Sequence, residues 1–137
     1  MVTIAIVRSV FNEEITAKML KVARAYARKR GIRIAAEATV PGAFDMPLVI
    51  KKLLERKDVQ GVATLGAVIK GETKHDEVIA YQVAHAITRL SLRYDKPIGL
   101  GIIGPGVNRD QADKRAVEYA ERAVEAAASV HEELKKI

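Results

Sequence analysis

Apolar residues change their spacing repeatedly along the chain, and each change marks an element. Residues 3–8 form a short run rich in β-branched side chains, which predicts a strand. From 13 to 31 the spacing turns helical, with Ile15, Met19, Val22 and Tyr26 on one face and Gly31 placed to end the helix. Residues 32–40 predict a second strand, stopped by Pro41-Gly42. A shorter helix follows, carrying Met46, Val49, Ile50, Leu53 and Leu54, with Asp45 available as N-cap and Pro47 tolerated in the first turn. Residues 61–69 are almost wholly apolar, which suits a parallel strand covered on both faces and predicts the centre of a sheet. The stretch 76–95 is again helical, with Ile79, Val83, Ala86, Ile87 and Leu90 inward and His85, Arg89 and Arg93 on the polar face. A fourth strand is expected over 97–103, then a loop at Gly104-Pro105-Gly106. The last helix, 109–136, has Ala112, Tyr119, Ala123, Ala127 and Val130 at helical spacing.

Regular alternation of strand and helix, joined by right-handed crossovers, predicts an α/β fold. The expected architecture is a three-layer α/β/α sandwich around an open four-stranded parallel sheet of the flavodoxin-like kind. No linker, repeat or low-complexity stretch divides the chain, and 137 residues suit one domain spanning 1–137. Ligands of such sheets bind beyond the carboxyl ends of the strands, which directs attention to the loops 9–12, 41–47, 70–75 and 104–108.

Composition narrows the function classes. Apolar residues make up 49% of the chain, yet charged residues interrupt every run before the roughly 20 residues needed to cross a bilayer. The first residues enter a strand directly, without a basic leader or a small-residue cleavage site, so a cytoplasmic location is expected. With no cysteine, thiolate catalysis, disulfides and cysteine-based metal sites are excluded. A net charge of +6 raises nucleic acid as a partner. The basic residues are interspersed with acids, however, as in Glu55-Arg56-Lys57-Asp58, and the few aromatics leave little for a base-stacking platform. Neither a nucleic-acid nor a membrane partner is expected.

The richest chemistry lies in Gly71-Glu72-Thr73-Lys74-His75. A glycine for close backbone approach, a hydroxyl, a cation and the start of a helix make a phosphate cradle, and His75 supplies a group that exchanges protons near neutrality. The same residues also fit a capping box, with Thr73 as N-cap and Asp76 three positions on. His85 and His131 read as surface residues, and with no His-Glu-x-x-His and no cysteine, no metal site is expected. Gly99-Leu100-Gly101-Ile102-Ile103-Gly104 matches the dinucleotide fingerprint in letters only, because its first glycines fall inside a strand. Arg115, early in the last helix, reads either as an anion-gripping guanidinium or as the surface partner of Glu118.

In order and spacing, Val10-Phe11-Asn12, Val40-Pro41-Gly42-Ala43-Phe44-Asp45-Met46-Pro47 and Leu65-Gly66-Ala67-Val68-Ile69-Lys70-Gly71-Glu72-Thr73-Lys74-His75 resemble the signature segments of the lumazine synthase family. The resemblance spans nearly the whole chain. It implies condensation of 5-amino-6-(ribitylamino)uracil with 3,4-dihydroxy-2-butanone 4-phosphate to 6,7-dimethyl-8-ribityllumazine, phosphate and water, with no metal or redox cofactor. It further implies that His75 shuttles protons and Phe11 stacks on the pyrimidine. Ala43, Phe44 and Asp45 would line the ribityl pocket, Ala67, Val68 and Ile69 would meet the uracil edge through their backbone, and Gly71, Glu72 and Thr73 would hold the phosphate. Leu100 and the phosphate-binding Arg115 would belong to a neighbour's side of the pocket, in a homo-oligomer with its active site at the subunit interface. Pentamers, in many members assembled into an icosahedral shell, go with that family. Val10, Asp45, Leu100 and Tyr119 depart from its commoner residues.

Overall fold

The computed structural model describes Met1–Ile137. Its elements run β1 (Thr3–Ser9), α1 (Glu13–Arg30), β2 (Arg33–Val40), a 3-10 turn (Ala43–Asp45), α2 (Met46–Leu54), β3 (Gly61–Ile69), α3 (His75–Tyr94), β4 (Ile98–Gly99), β5 (Ile102–Val107) and α4 (Arg109–Leu134). All pairings are parallel; the order is β2-β1-β3-β4, and β5 pairs with β3 farther along. The α/β sandwich expected from periodicity is therefore present, with β3 at its centre and buried from Gly61 to Val68.

Alternation of side chains builds the layers. Ile4 and Ile6 of β1, with Ala63, Leu65 and Ala67 of β3, pack against α1 and α4. Ala5, Val7, Val62 and Val68 point the other way, to α2 and α3. The buried stripe of α4 is nearly all alanine (Ala112, Ala116, Ala120, Ala123, Ala127), so this helix lies close on the sheet. Val130, expected on that stripe, is exposed. A 26-residue helix outreaches strands of six to nine residues, and its last turns pass beyond the sheet. At its start, Asn108 and Gln111 cap one another reciprocally, each side-chain oxygen accepting the other's backbone N–H at 2.9 Å.

Two features differ from the sequence reading. The fourth strand is interrupted: Leu100 and Gly101 separate β4 from β5. A side chain from the central strand spans the gap, as the Thr64 hydroxyl donates to the Gly99 carbonyl at 2.8 Å and accepts from the Gly101 N–H at 3.0 Å. Gly104-Pro105-Gly106, expected as loop, lies within β5. Gly104, at φ 107°, lies so close to β3 that a Cβ there would stand 2.2 Å from the Val68 carbonyl oxygen. The glycine pattern that imitates a dinucleotide fingerprint is thus a packing device, since a Cβ on Gly99 would fall 1.9 Å from the carbonyl oxygen of Ala123. No helix is long and apolar enough to cross a membrane.

Candidate active site

From β1 the chain crosses to β2 on one side, then returns past β1 to β3 on the other. This reversal opens a crevice beyond the carboxyl ends of β1 and β3, where sheets of this kind take ligands. A cavity of about 550 Å3 occupies it. Phe11 and Asn12 enter from the end of β1, Gly42, Ala43, Phe44 and Asp45 from the end of β2, and Ala67, Val68, Ile69 and Gly71 from the end of β3. The start of α3 adds His75, Asp76 and Ile79.

Local structure explains the convergence. The Val10 and Phe11 N–H groups donate to the carbonyls of Val40 and Pro41, both at 2.9 Å, which joins the first two loops. Asn12 adopts the left-handed conformation at φ 62°, a region asparagine tolerates better than most residues, and turns the chain into α1. Its amide donates to the Ala67 carbonyl at 2.9 Å and its oxygen accepts from Arg109 at 3.2 Å. Phe11 and Phe44 stand 61% and 59% exposed on the cavity wall, so that each ring offers apolar surface to a ligand. Asp45 precedes α2 as expected but does not cap it with its side chain; the carboxylate accepts instead from the Gly42 N–H at 3.0 Å, closing the 3-10 turn.

The capping box read across Thr73 and Asp76 does not form. Lys74 holds the N-cap position, and the Thr73 hydroxyl accepts only a 3.3 Å contact from the His75 N–H. Asp76 is drawn inward instead: 6% exposed, it accepts from the Gly106 N–H at 2.9 Å. His75 is exposed on the cavity wall at the positive end of α3. Gly71 reaches the cavity and a Cβ there would meet nothing, whereas Glu72 and Thr73 are exposed beside it without lining it.

Two expected residues lie elsewhere. Leu100, 51% exposed, borders a separate hollow between α3 and β4 with Ile87, Leu92 and Ile98. Arg115 is exposed on α4, donating to the Gln111 carbonyl of its own helix at 3.0 Å; Glu118 pairs with Arg122 and not with it. Neither His85 nor His131 lines the cavity. The sequence reading assigned no role in the site to Asn12, Asp76 or Ile79. Both Asn12 and Asp76 are hidden by their fit to local capping patterns, Asn12 as the residue before α1 and Asp76 as the acid of a capping box.

A family model described as 6,7-dimethyl-8-ribityllumazine synthase matches residues 1–136. Among curated relatives bearing that name, the one from Methanocaldococcus jannaschii is 49% identical over 137 residues, covering 100% of this chain and 96% of the relative. The relative from Sulfolobus acidocaldarius is 48% identical over 136 residues, covering 99% and 86%. That from Metallosphaera sedula is 52% identical over 126 residues, covering 92% and 83%.

Proposed function

The chain belongs to the 6,7-dimethyl-8-ribityllumazine synthase family, and from that premise we propose that its cavity condenses 5-amino-6-(ribitylamino)uracil with 3,4-dihydroxy-2-butanone 4-phosphate. The observation that carries this reading is the convergence of Phe11, the 43–45 turn, the end of β3 and His75 on one cavity at the reversal of strand order. The amine attacks the ketone carbon and water leaves as the imine forms. Phosphate is then eliminated, and closure of the second ring releases water. No net oxidation occurs, so the work of the protein is to hold two substrates in register and to move protons.

In this reading Phe11 stacks on the pyrimidine, backbone groups of Ala67, Val68 and Ile69 meet the uracil edge, and Ala43, Phe44 and Asp45 receive the ribityl chain. The loop of Gly71, Glu72 and Thr73, opening onto α3, takes the phosphate. His75 carries protons between the amine, the imine and the leaving phosphate. Arg115 and Leu100 serve the cavity of a neighbouring copy; their exposure, and their place outside the cavity of their own chain, support a site shared between subunits. A pentamer, alone or built into an icosahedral shell in the cytoplasm, is the assembly we assign.

Purified protein given both substrates is expected to form the lumazine, followed by its absorbance. Riboflavin made from lumazine alone, with nothing formed from the two substrates, would overturn the proposal in favour of the archaeal type of riboflavin synthase.

A further inference from the structure

We propose that Asp76 is a positioning residue for His75, acting through the backbone of Gly106. The segment between β3 and α3 is exposed from Lys70 to His75, and its only side-chain hydrogen bond is the weak internal one between Thr73 and His75. Such a segment does not by itself fix where α3 begins. Asp76 does: its carboxylate is buried, lines the same cavity as His75, and accepts from the Gly106 N–H. Gly106 is itself held in place. Two residues earlier Gly104 lies against the Val68 carbonyl, and one residue later the Val107 carbonyl accepts from the Lys70 N–H at 2.7 Å. The bond therefore anchors the first turn of α3 to β5, which pairs with the end of β3 that lines the cavity, and the adjacent His75 inherits that anchor. A proton carrier must be held within a fraction of an ångström of its target, and a shift of about 1 Å is enough to cost on the order of 100-fold in rate.

This inference rests on the lumazine-forming reading of the cavity. What Gly106 requires is an acceptor, not a charge, so the amide oxygen of Asp76→Asn should serve while Asp76→Ala should not. Turnover is compared well below each variant's Tm, together with hydrogen exchange at the Gly106 amide. We expect Asp76→Ala to lose roughly 10- to 100-fold in kcat, with KM for the uracil substrate within about 2-fold of the parent, and to lose Gly106 protection. Asp76→Asn should keep kcat within about 3-fold and keep the protection. Parental kcat in Asp76→Ala, or an equal fall in Asp76→Asn, would overturn the proposal. If Asp76→Ala does not fold, Asp76→Ser, whose shorter side chain should not reach the Gly106 N–H, takes its place with the same expected losses. Failure of the parent to make lumazine would instead refute the reading of the cavity, and the exchange measurement would still report whether the anchor exists.

Discussion

Glycine appears at Gly71 and at Gly99 for opposite reasons, and one substitution separates them. At Gly99 a methyl group would enter the backbone of α4, 1.9 Å from the Ala123 carbonyl oxygen, and helix and sheet would have to part. Gly99→Ala is expected to lower stability by about 3 kcal/mol in urea denaturation, near the upper end of overpacking costs. At Gly71 a methyl group meets nothing and projects beside the cavity. Gly71→Ala should leave stability within about 0.5 kcal/mol, while raising KM for the butanone phosphate more than KM for the uracil substrate. The reverse pattern, a stable Gly99→Ala or a strongly destabilised Gly71→Ala, would contradict these packing assignments. A single sequence marks both positions with the same letter, because what distinguishes them is the distance to an element far along the chain. Thr64 is similar: its spacing places it in a strand, but its hydroxyl bridge between Gly99 and Gly101 exists only once β4 lies alongside.

At the scale of elements, hydrophobic period was sufficient to locate every helix and the first three strands, since each buries a face against the sheet or a helix. It failed at the interrupted fourth strand, where the backbone answers to the Thr64 side chain of β3, and at the start of α3 the local capping pattern misled, because Asp76 bonds to the backbone of β5 instead. The edge strand β2 offers a test of how such contacts act. Arg24 on α1 donates two hydrogen bonds to Glu37, and this guanidinium holds the carboxyl below its ordinary range, outweighing partial burial, which pushes the other way. Because the folded-state value is depressed, the stabilisation is present above the unfolded-state value and is lost as pH falls through the folded one. The pair is partly exposed, so screening keeps its contribution small. Glu37→Gln should cost about 0.5 kcal/mol at neutral pH, and the two proteins should converge in stability as pH falls through and below about 4. A gap undiminished at the acid end would assign the loss to packing and not to charge.

Across the whole molecule, the sequence pointed to four loops beyond strand ends, of which 9–12, 41–47 and 70–75 line the cavity and 104–108 does not, and to His75 as a group with chemistry to offer. Pattern alone left Arg115 open between an anion-gripping and a surface role, and it lies on an exposed helix surface, bonded only to the turn before it. If a neighbour's Arg115 completes the cavity, His75→Ala and Arg115→Ala should each be poorly active, yet equal mixtures refolded together should recover activity. In a head-to-tail ring about one quarter of the sites then pair an intact His75 with an intact Arg115. No recovery in mixed rings would place both residues in one subunit's site or remove Arg115 from it. The chain's two phenylalanines line the cavity, and none of its tyrosines is fully buried, so the apolar interior is aliphatic chains, two methionines and alanine, without an aromatic ring. The aromatic rings and the packed interior are therefore separate sets of residues, and Phe11 or Phe44 is exchangeable for another side chain without removing a member of either core cluster.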